Sequence, residues 1–543
     1  MSDRHDTGTP GPTVPNQRVA FDTVSRYLAM SVTMVVSFLL LPFLLRHIGK
    51  PAYGLQALAH QTLEFVTILA FAVGMSYNRI AAGYYAQGKY DRMNAVLSAG
   101  LILSVLVALT IAAATVLLAI FAHVLFDLPL HLILPAKRVL IIFGAGSAIH
   151  IISSVYASSI YITQRLYLKS ISSAVGVLVP AAIIIPLFVY WRASIVVWVG
   201  LSVAVRLLAL WAIVIPFGRR GISEIRIRLF APGARREMKE LAQFGGLTVF
   251  GSLGALLYYA TDSIMISNLN ELGIQQVVNY NVAQRWFPQI SMFASSFVLI
   301  MGPTMIAKVA VGQLDTLRSM VARATRYCFI ILACPCLLLF IQAEDFLRLW
   351  LKSAFVMESV PVMRIIMCAL LMSGAGIVSK EALYANRKIR GAVLATLCGG
   401  GLNIVLSITL VKVAGMGLLG IATGSLISLF LLEVICHPYL LCKHISLGYG
   451  VFVRGAMRAL LGAVPLVGAC LLLRQIWTPT NLPEIVAQFF VCGLAYLPSI
   501  WFVSLTQTDR KDLKAMLAAA IVTWRERHAH TADQPTTEGS EEG

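Results

Sequence analysis

Residues 24–46 read VSRYLAMSVTMVVSFLLLPFLLR, and this stretch decides the class of fold. It carries no charged residue apart from Arg26 and Arg46, which stand near its two ends. An α-helix rises about 1.5 Å per residue, so about 20 apolar residues cross the roughly 30 Å hydrocarbon core of a bilayer. Only a helix satisfies its backbone hydrogen bonds within one such segment. The stretch therefore predicts a membrane-spanning helix.

The same pattern recurs along the whole chain. Of its 543 residues, 58% are hydrophobic and 13% are charged, whereas soluble domains average about 25% charged residues. So little charge cannot cover the surface of a soluble protein of this size, and the apolar surface must face lipid. The predicted fold class is an all-α polytopic membrane protein with about fourteen transmembrane helices. The apolar runs occupy residues 24–46, 54–76, 95–122, 137–162, 171–190, 194–217, 241–268, 277–302, 322–343, 359–383, 391–411, 417–440, 453–473 and 484–506.

The distribution of Lys and Arg predicts the orientation. With the N-terminus placed in the cytoplasm, 31 of these residues fall in cytoplasmic segments and 9 on the opposite side. Cytoplasmic loops of membrane proteins are enriched in Lys and Arg. An even number of helices then puts both termini in the cytoplasm. The net charge of +18 follows from this topology, so we expect no nucleic-acid partner.

Sequence motifs for catalysis and for metal binding are missing. The chain has no Walker loop and no GxSxG elbow. His60 and Glu64 stand four residues apart, but no second histidine accompanies them as in a zinc protease motif. We therefore expect no enzyme, no catalytic residue, no metal and no cofactor.

The most basic loop, around residues 217–240, follows the sixth predicted helix and is typical of a linker between two halves. Short motifs recur across it, as Gln164-Arg165 after helix four and Asn386-Arg387 after helix ten. Two similar six-helix lobes in the same orientation would meet at a central cavity, as parallel transporter repeats do. The predicted segments are a disordered cytoplasmic tail (1–20), an N-terminal lobe (21–217), a basic linker (218–240), a C-terminal lobe (241–440), a two-helix appendage (441–508) and a cytoplasmic tail (509–543).

Polar residues at helical spacing mark the candidate lining of that cavity. An ionisable group inside a spanning helix is costly and is a functional hypothesis by default. Glu64 on helix two and Asp262 on helix seven are the candidates for ion coupling or gating. Arg285 on helix eight is the candidate contact for an anionic substrate group, and Arg79 and Arg26 are candidates for a cytoplasmic entrance. The further candidate binding residues are Gln284, Gln289, Asn281 and Tyr259.

Each of these residues also has a structural interpretation. Glu64 and Arg285 have a similar predicted depth and can form a buried pair that only holds the halves together. Asp262 can hydrogen-bond helix to helix, and Arg206 can pair with Glu433. The small-residue spacing of three glycines indicates helix packing; they are Gly417, Gly420 and Gly424.

Seven short motifs follow one another along the chain. They are Gly49-x3-Tyr53-Gly54-Leu55, Gly74-x4-Arg79, residues 85–91 (YAQGKYD), Phe244-Gly245, Thr261-Asp262-x-Ile264-Met265-Ile266, Asn279-Tyr280-Asn281-Val282-Ala283 and Phe346-Leu347-x-Leu349-Trp350-Leu351. With these motifs the run from about residue 20 to 510 resembles the polysaccharide-transporter branch, with its Wzx-type flippases, of the multidrug/oligosaccharidyl-lipid/polysaccharide (MOP) exporter superfamily. The sequence departs from the usual pattern at Lys352, where a glycine is common, and at Gln284-Arg285-Trp286, where small apolar residues are common.

The resemblance implies a two-lobed flippase of the inner membrane. Its substrate would be an undecaprenyl-diphosphate-linked oligosaccharide, such as an O-antigen, capsule or exopolysaccharide repeat unit, moved by alternating access. A diphosphate needs cations, and Arg supplies bidentate contacts. The implied partners are a polyprenyl-diphosphate-linked glycan, membrane lipids, and a polysaccharide polymerase with a chain-length regulator.

Three alternatives stay open at the level of the sequence. A lipid II flippase of the same superfamily also has fourteen helices and a cationic cavity. A cation-coupled multidrug antiporter of the MATE type usually has twelve helices and an acidic site. A membrane-embedded glycosyltransferase or polymerase would want a large outer loop with acidic residues, and the longest outer loop here is short.

Overall fold

The computed structural model describes residues 16–126, 129–163, 165–191, 194–220, 224–229, 231–269, 272–351, 356–386, 388–512 and 514. Over these residues the backbone is helical with short connections, and none of them lies in a β-strand. The all-α fold class predicted from the apolar runs is therefore confirmed.

The described residues up to Arg219 contain nine α-helices. They are α1 (Asn16–Ile48), α2 (Lys50–Ala86), α3 (Tyr90–Ile120), α4 (Ala122–Leu125), α5 (Leu130–Tyr156), α6 (Ser159–Ile162), α7 (Tyr167–Trp191), α8 (Ile195–Ala209) and α9 (Ile215–Arg219). A π-helical segment, Leu210–Val214, joins α8 to α9.

The remainder contains fourteen α-helices and two π-helical segments, Phe430–Cys436 and Ile500–Ser504. The α-helices are α10 (Ala234–Tyr259), α11 (Thr261–Asn268), α12 (Ile274–Gln284), α13 (Trp286–Ala310), α14 (Leu314–Ile341), α15 (Ala343–Leu351), α16 (Val356–Met372), α17 (Gly374–Ala385), α18 (Ile389–Lys412), α19 (Leu418–Leu429), α20 (His437–Ile445), α21 (Gly450–Gly462), α22 (Val464–Ile476) and α23 (Leu482–Ser499).

Eleven helical stretches in the described residues are long and apolar enough to cross a membrane, and thirteen are if two bent pairs each count as one span. The chain is therefore a multi-pass membrane protein. Thirteen of the fourteen predicted runs coincide with these stretches. The run at 277–302 is divided at Arg285, between α12 and α13. Pro288 gives a local cause, because a proline ring clashes with the carbonyl four residues earlier, here that of Gln284.

The described residues fall into two compact units. Unit 1 takes its residues from Met1–Gln289, Leu347–Ala369 and Lys388–Cys436, and unit 2 from Ile290–Phe346, Leu370–Arg387 and His437–Gly543. The predicted boundaries of the two lobes, the linker and the appendage stay a prediction.

Unit 1 has an apolar core in which α1, α2, α5, α7 and α8 share side chains. Leu58, Leu140 and Ile184 are almost fully buried there. Inside a bilayer such side chains are stabilised by close van der Waals packing, because lipid tails are as apolar as they are. Helices α1 and α2, which carry some of the polar groups described below, are therefore tightly packed.

Close helix packing in unit 1 depends on glycines of α18 and α19. A Cβ atom added at Gly424 would lie 2.8 Å from the backbone nitrogen of Ser407, and one at Gly420 would lie 3.0 Å from the carbonyl carbon of Leu410. The packing role predicted for Gly420 and Gly424 is confirmed. Gly417 instead supplies a φ of 55° just before α19, in the left-handed region that favours glycine.

Unit 2 contains a buried ion pair just beyond its last π-helical segment. Arg326 of α14 donates from its guanidinium to the carboxylate of Asp509, and both side chains are largely buried. The same carboxylate accepts hydrogen bonds from the backbone N–H of Thr506 at 2.9 Å and from its hydroxyl at 2.5 Å. Burial raises the pKa of Asp509, but the Thr506 hydrogen bonds and the charge of Arg326 together hold it below its usual value.

Candidate functional site

Asp262 is the centre of a polar cluster buried inside unit 1. Its side chain is 1% exposed, and the hydroxyl of Tyr280 donates to its Oδ2 at 2.5 Å. Asn403 Nδ2 lies 3.4 Å from Oδ1, and the Ser425 hydroxyl lies 3.4 Å from Oδ2. Four elements thus converge on one carboxylate: α11, α12, α18 and α19.

The donors around Asp262 are themselves connected. The Ser425 hydroxyl is 3.1 Å from Asn403 Oδ1, and the Ser407 hydroxyl is 3.5 Å from the same atom. The glycine contacts between α18 and α19 allow this, because a side chain at Gly424 would occupy the space beside Ser407. Buried polar networks rigidify a site when their members are satisfied.

A small cavity opens beside this carboxylate. It measures about 20 Å³, which is room for about one water molecule. Its lining is mostly apolar, with polar groups at Asp262, Tyr280, Gln284 and Ser425. Carboxylate, amide and hydroxyl oxygens are the ligands of hard cations. The arrangement can hold a proton on the carboxylate, a water molecule or a small cation.

Arg285 lies between α12 and α13, and its guanidinium contacts α1 and α2. One terminal nitrogen donates to the Tyr53 hydroxyl at 3.2 Å and the other to the Ser37 carbonyl at 3.4 Å. Both acceptors are neutral. No carboxylate lies within ion-pair distance of Arg285 in the part of the chain that the structure describes. A guanidinium has five N–H donors, so most of its donor capacity is unused.

Asn281 connects α12 to α2 and to α11. The Gln61 amide donates to Asn281 Oδ1 at 3.0 Å, and Asn281 Nδ2 donates to the Ser263 hydroxyl at 3.0 Å. Ser263 directly follows Asp262 in the chain. The surroundings of Asp262 and the polar face of α2 are therefore joined by side-chain hydrogen bonds.

Three aromatic rings pack together in the same unit as Arg285. Phe38 stacks on Trp350 with ring centroids 5.2 Å apart, and Trp286 lies 5.5 Å from Trp350. The Trp350 indole N–H donates to the Phe38 carbonyl at 2.8 Å. Since Phe38 follows Ser37 and Trp286 follows Arg285, the rings hold the two chain segments that meet at the guanidinium.

Glu64 does not pair with Arg285. Its Oε1 lies 3.4 Å from His60 Nδ1, one turn earlier on α2, and both side chains are substantially exposed. The interpretation of Glu64 and Arg285 as a structural lock is therefore wrong. The suggested pairing of Arg206 with Glu433 is also not found among the contacts of the described residues.

The other candidate residues have varied surroundings. Gln284 is buried and lines the cavity beside Asp262, and Gln289 is half-buried on α13. Arg26 on α1 and Arg79 near the end of α2 are exposed. The side chain of Tyr259 lies outside the described residues. The binding and coupling roles assigned to these residues stay predictions.

Sequence reasoning missed the partners of Asp262. Tyr280 stands in one of the motifs quoted above, whereas Asn403 and Ser425 belong to none of them and are not among the predicted site residues. One signal was available for Asn403, because it is the only asparagine in the apolar run 391–411. A polar amide in such a run must find a partner inside the protein.

Known proteins resemble this chain both in sequence and in fold. The profile of the MatE family matches residues 27–183. The chain is 23% identical over 489 residues to the uncharacterized membrane protein EpsK of Bacillus subtilis (strain 168), covering 89% of this chain and 95% of that protein. The structure of the lipid II flippase MurJ in its inward closed conformation matches with a TM-score of 0.66 and 11% identity, over 88% of this chain and 98% of MurJ.

An inward-facing multidrug resistance MATE family transporter of the MOP superfamily matches with a TM-score of 0.64 and 16% identity, over 77% of this chain and 94% of the transporter. This chain has the fold of MOP superfamily transporters. The MOP fold is shared by proteins described as a lipid flippase and as a multidrug transporter, so the fold alone leaves the substrate open.

Proposed function

We propose that this protein is a flippase that moves a polyprenyl-diphosphate-linked oligosaccharide across the membrane by alternating access. The observation that carries the proposal is Arg285, a guanidinium within a predicted spanning run whose neighbours in the described structure are neutral oxygens. A central membrane arginine costs about 2.5–3.5 kcal/mol on insertion scales. An anionic substrate group that binds there would offset this cost.

The chemistry of a diphosphate fits this position. Phosphate oxygens accept paired hydrogen bonds from guanidinium, which is planar and stays charged. Gln284 and Asn281 lie on α12, and Gln61 lies on α2. Their amide groups suit sugar hydroxyls. In this proposal Arg79 and Arg26 form the cytoplasmic entrance, and Gln289 and Tyr259 add polar contacts along the path.

Asp262 is the proposed coupling residue, with Glu64 as a second candidate. A buried carboxylate beside a water-sized cavity can exchange a proton or a small cation as the protein changes conformation. Asp262→Asn keeps an acceptor for the Tyr280 hydroxyl but removes the charge, so we expect transport to lose its dependence on the proton or sodium gradient. Proteoliposomes with imposed gradients measure this. Unchanged rate and gradient dependence in Asp262→Asn and Glu64→Gln would exclude both residues.

The proposed location is the inner membrane with both termini in the cytoplasm, and the proposed partners are a polysaccharide polymerase and a chain-length regulator. The excess of Lys and Arg in alternate loops supports the orientation. A periplasm-only reporter fused at Gly543 tests it, and a strong signal would contradict it.

The test of substrate class is complementation in three strains. One strain lacks its glycan flippase, one is depleted of its lipid II flippase, and one lacks its drug exporters. We expect restored surface glycan in the first, with loss of the lipid-linked oligosaccharide from the inner leaflet. Restored growth only in the second, or drug resistance only in the third, would replace the proposal with the corresponding alternative.

A further inference from the structure

A second uncompensated arginine lies inside unit 1, on helices that Arg285 does not contact. Arg206 is in α8, within the span Ile195–Arg219. It is 11 residues from the first residue of this span and 13 from the last, which is roughly 16 Å and 20 Å at about 1.5 Å per residue. These distances are too long for its side chain to reach either interface. Intramembrane arginines of this kind face a bundle interior or a water-filled cavity.

Arg206 makes no hydrogen bond or ion pair with any residue in the described ranges, and its side chain is exposed. The stem packs over α7, because a Cβ atom at Gly176 would lie 3.1 Å from Arg206 Cγ. Burying a larger side chain at Gly176 would push the arginine away. The glycine thus leaves room for the arginine to cross this helix surface.

Two histidines lie on helices that pack against the helix of Arg206. Helices α2, α5 and α8 pack against one another in unit 1. A Cβ atom at Gly146 of α5, four residues before His150, would lie 2.3 Å from Cγ1 of Val203, three residues before Arg206. The His60 ring of α2 lies 5.8 Å from the Phe143 ring of α5, measured between centroids. His150 makes no hydrogen bond or ion pair with other described residues, and Lys169, at the start of α7, donates to the Tyr161 hydroxyl at 2.8 Å.

Negative charge is scarce on these helices. In the sequences of α2, α5, α7 and α8, Glu64 is the only Asp or Glu. Its carboxylate lies beside His60, 3.4 Å away. Arg206, His150 and Lys169 therefore have no carboxylate of their own on the helices that carry them. A guanidinium without a counter-charge attracts an anion.

We propose that Arg206 and His150, with His60 at the border, form an anion-binding site between α2, α5 and α8 that takes a second acidic group of the transported molecule. The group is a carboxylate or a phosphate. Either matches the paired donors of a guanidinium. If the substrate's diphosphate binds at Arg285, the remaining acidic group is the carboxylate of an acidic sugar, so the substrate class becomes an anionic glycan. The identity of this ligand rests on the proposed function, whereas the anion site does not.

The test uses the full-length protein in nanodiscs of phosphatidylcholine, which has no net charge. Two farnesyl-diphosphate disaccharides serve as probes, one with a distal glucose and one with a distal glucuronate. Arg206→Gln removes the charge, Arg206→Lys keeps it, and Arg138→Gln removes an exposed arginine near the outer end of α5 as the matched control. If Arg206→Gln does not fold, His150→Gln tests the same site with a different substitution.

We expect Arg206→Gln to lower the affinity for the glucuronate probe about tenfold or more, because a charged hydrogen bond is lost. The affinity for the glucose probe should change less than twofold. Arg206→Lys should keep part of the affinity for the glucuronate probe, and Arg138→Gln should bind both probes like wild type. An equal loss for both probes would place the diphosphate at Arg206. Unchanged affinity for both probes in Arg206→Gln and His150→Gln would overturn the site.

A second measurement separates this inference from the proposed function. Free glucuronate is added at increasing concentration to the Arg285→Gln protein, with and without Arg206→Gln, and the thermal midpoint of unfolding is recorded. An anion that binds the folded state raises this midpoint. We expect a rise in the Arg285→Gln protein that is lost when Arg206→Gln is added, even if neither lipid-linked probe binds. An equal rise in both proteins, or none in either, would contradict the anion site.

Discussion

Arg326 in unit 2 and Arg285 in unit 1 are both arginines of an apolar chain, but their neighbours differ in kind. Arg326 meets a buried carboxylate, Asp509, which also accepts two hydrogen bonds from Thr506. Arg285 meets a phenol and a backbone carbonyl, Tyr53 and Ser37. The first charge is neutralised by the protein. The second is oriented by the protein but not neutralised.

This difference gives a physical way to tell a structural cation from a binding cation. In a buried ion pair each charge already has its counter-charge, and breaking the pair leaves one charge stranded. A cation held by neutral acceptors keeps its charge and most of its donors available. Arg206 has neither kind of partner in the described residues, so its charge and its donors are also available.

The largest stability effect is expected for Arg326→Ala. Asp509 would keep only the charge of Arg323, which is more exposed and lies 3.8 Å from its other carboxylate oxygen, and removing one partner of a buried ion pair costs about 3–5 kcal/mol. Denaturation of the purified protein in detergent measures the free energy of unfolding. The double variant Arg326→Met with Asp509→Asn carries no stranded charge and should recover most of the stability. If Arg326→Ala unfolds like wild type, the pair is not structural and the comparison fails.

Arg285→Ala should have the opposite profile, with a smaller loss of stability than Arg326→Ala and with loss of transport. The guanidinium forms two hydrogen bonds to neutral groups, each worth about 0.5–1.5 kcal/mol. Loss of a substrate contact at a charged group should reduce export by about 10- to 100-fold. Surface glycan and unfolding are measured on the same variants.

Two controls refine the Arg285 experiment. Arg285→Lys should keep part of the transport, because a point charge binds phosphate without the paired geometry. Glu64→Ala added to Arg285→Ala should restore nothing, since Glu64 lies beside His60. Recovery of stability and transport in that double variant would return Arg285 to a structural role.

The pH dependence of stability should come in part from Asp509. Its folded-state pKa lies below its usual value, so its contribution is complete above the unfolded value of about 3.9. It is lost as the pH falls from there through the folded value. Asp509→Asn should therefore show a smaller acid loss of stability than wild type. Asp315→Asn, which removes an exposed partner of Arg318, should keep the wild-type profile.

Sequence reasoning predicted the spans well because run length and apolarity are local properties. Where a span is interrupted, local chemistry again gave the reason, since Pro288 lies one turn after Gln284 and Arg285. The π-helical segments, such as Leu210–Val214 and Phe430–Cys436, were not predicted. They depend on how neighbouring helices pack, and the spacing of apolar residues does not specify that.

The site was predicted only in part because its contacts are distant in sequence. Asp262 was found from its cost inside a helix, yet Asn403 and Ser425 are 141 and 163 residues away. A single sequence does not show how the helices pack, so it cannot show which polar residues contact each other. The same limit led to the wrong pairing of Glu64 with Arg285. A similar predicted depth on two helices suggests a pair, but helix rotation decides which side chains face each other.

The smallest effect, and the finest test of the comparison, is expected for Tyr53→Phe. This change removes the hydroxyl that accepts from Arg285 at 3.2 Å and keeps the buried ring. The lost hydrogen bond joins the Arg285 guanidinium to a neutral hydroxyl. We therefore expect a stability loss of about 0.5–1.5 kcal/mol. Transport should fall only a few-fold, because the Ser37 carbonyl still orients the guanidinium. Thr506→Val, which removes a hydroxyl donor to the buried Asp509, is the matched change in unit 2 and should cost more, because a buried carboxylate loses a charged hydrogen bond. If Tyr53→Phe costs as much stability as Arg326→Ala, then Tyr53 anchors Arg285 as firmly as a carboxylate would, and the distinction between an oriented and a neutralised arginine does not hold in this protein.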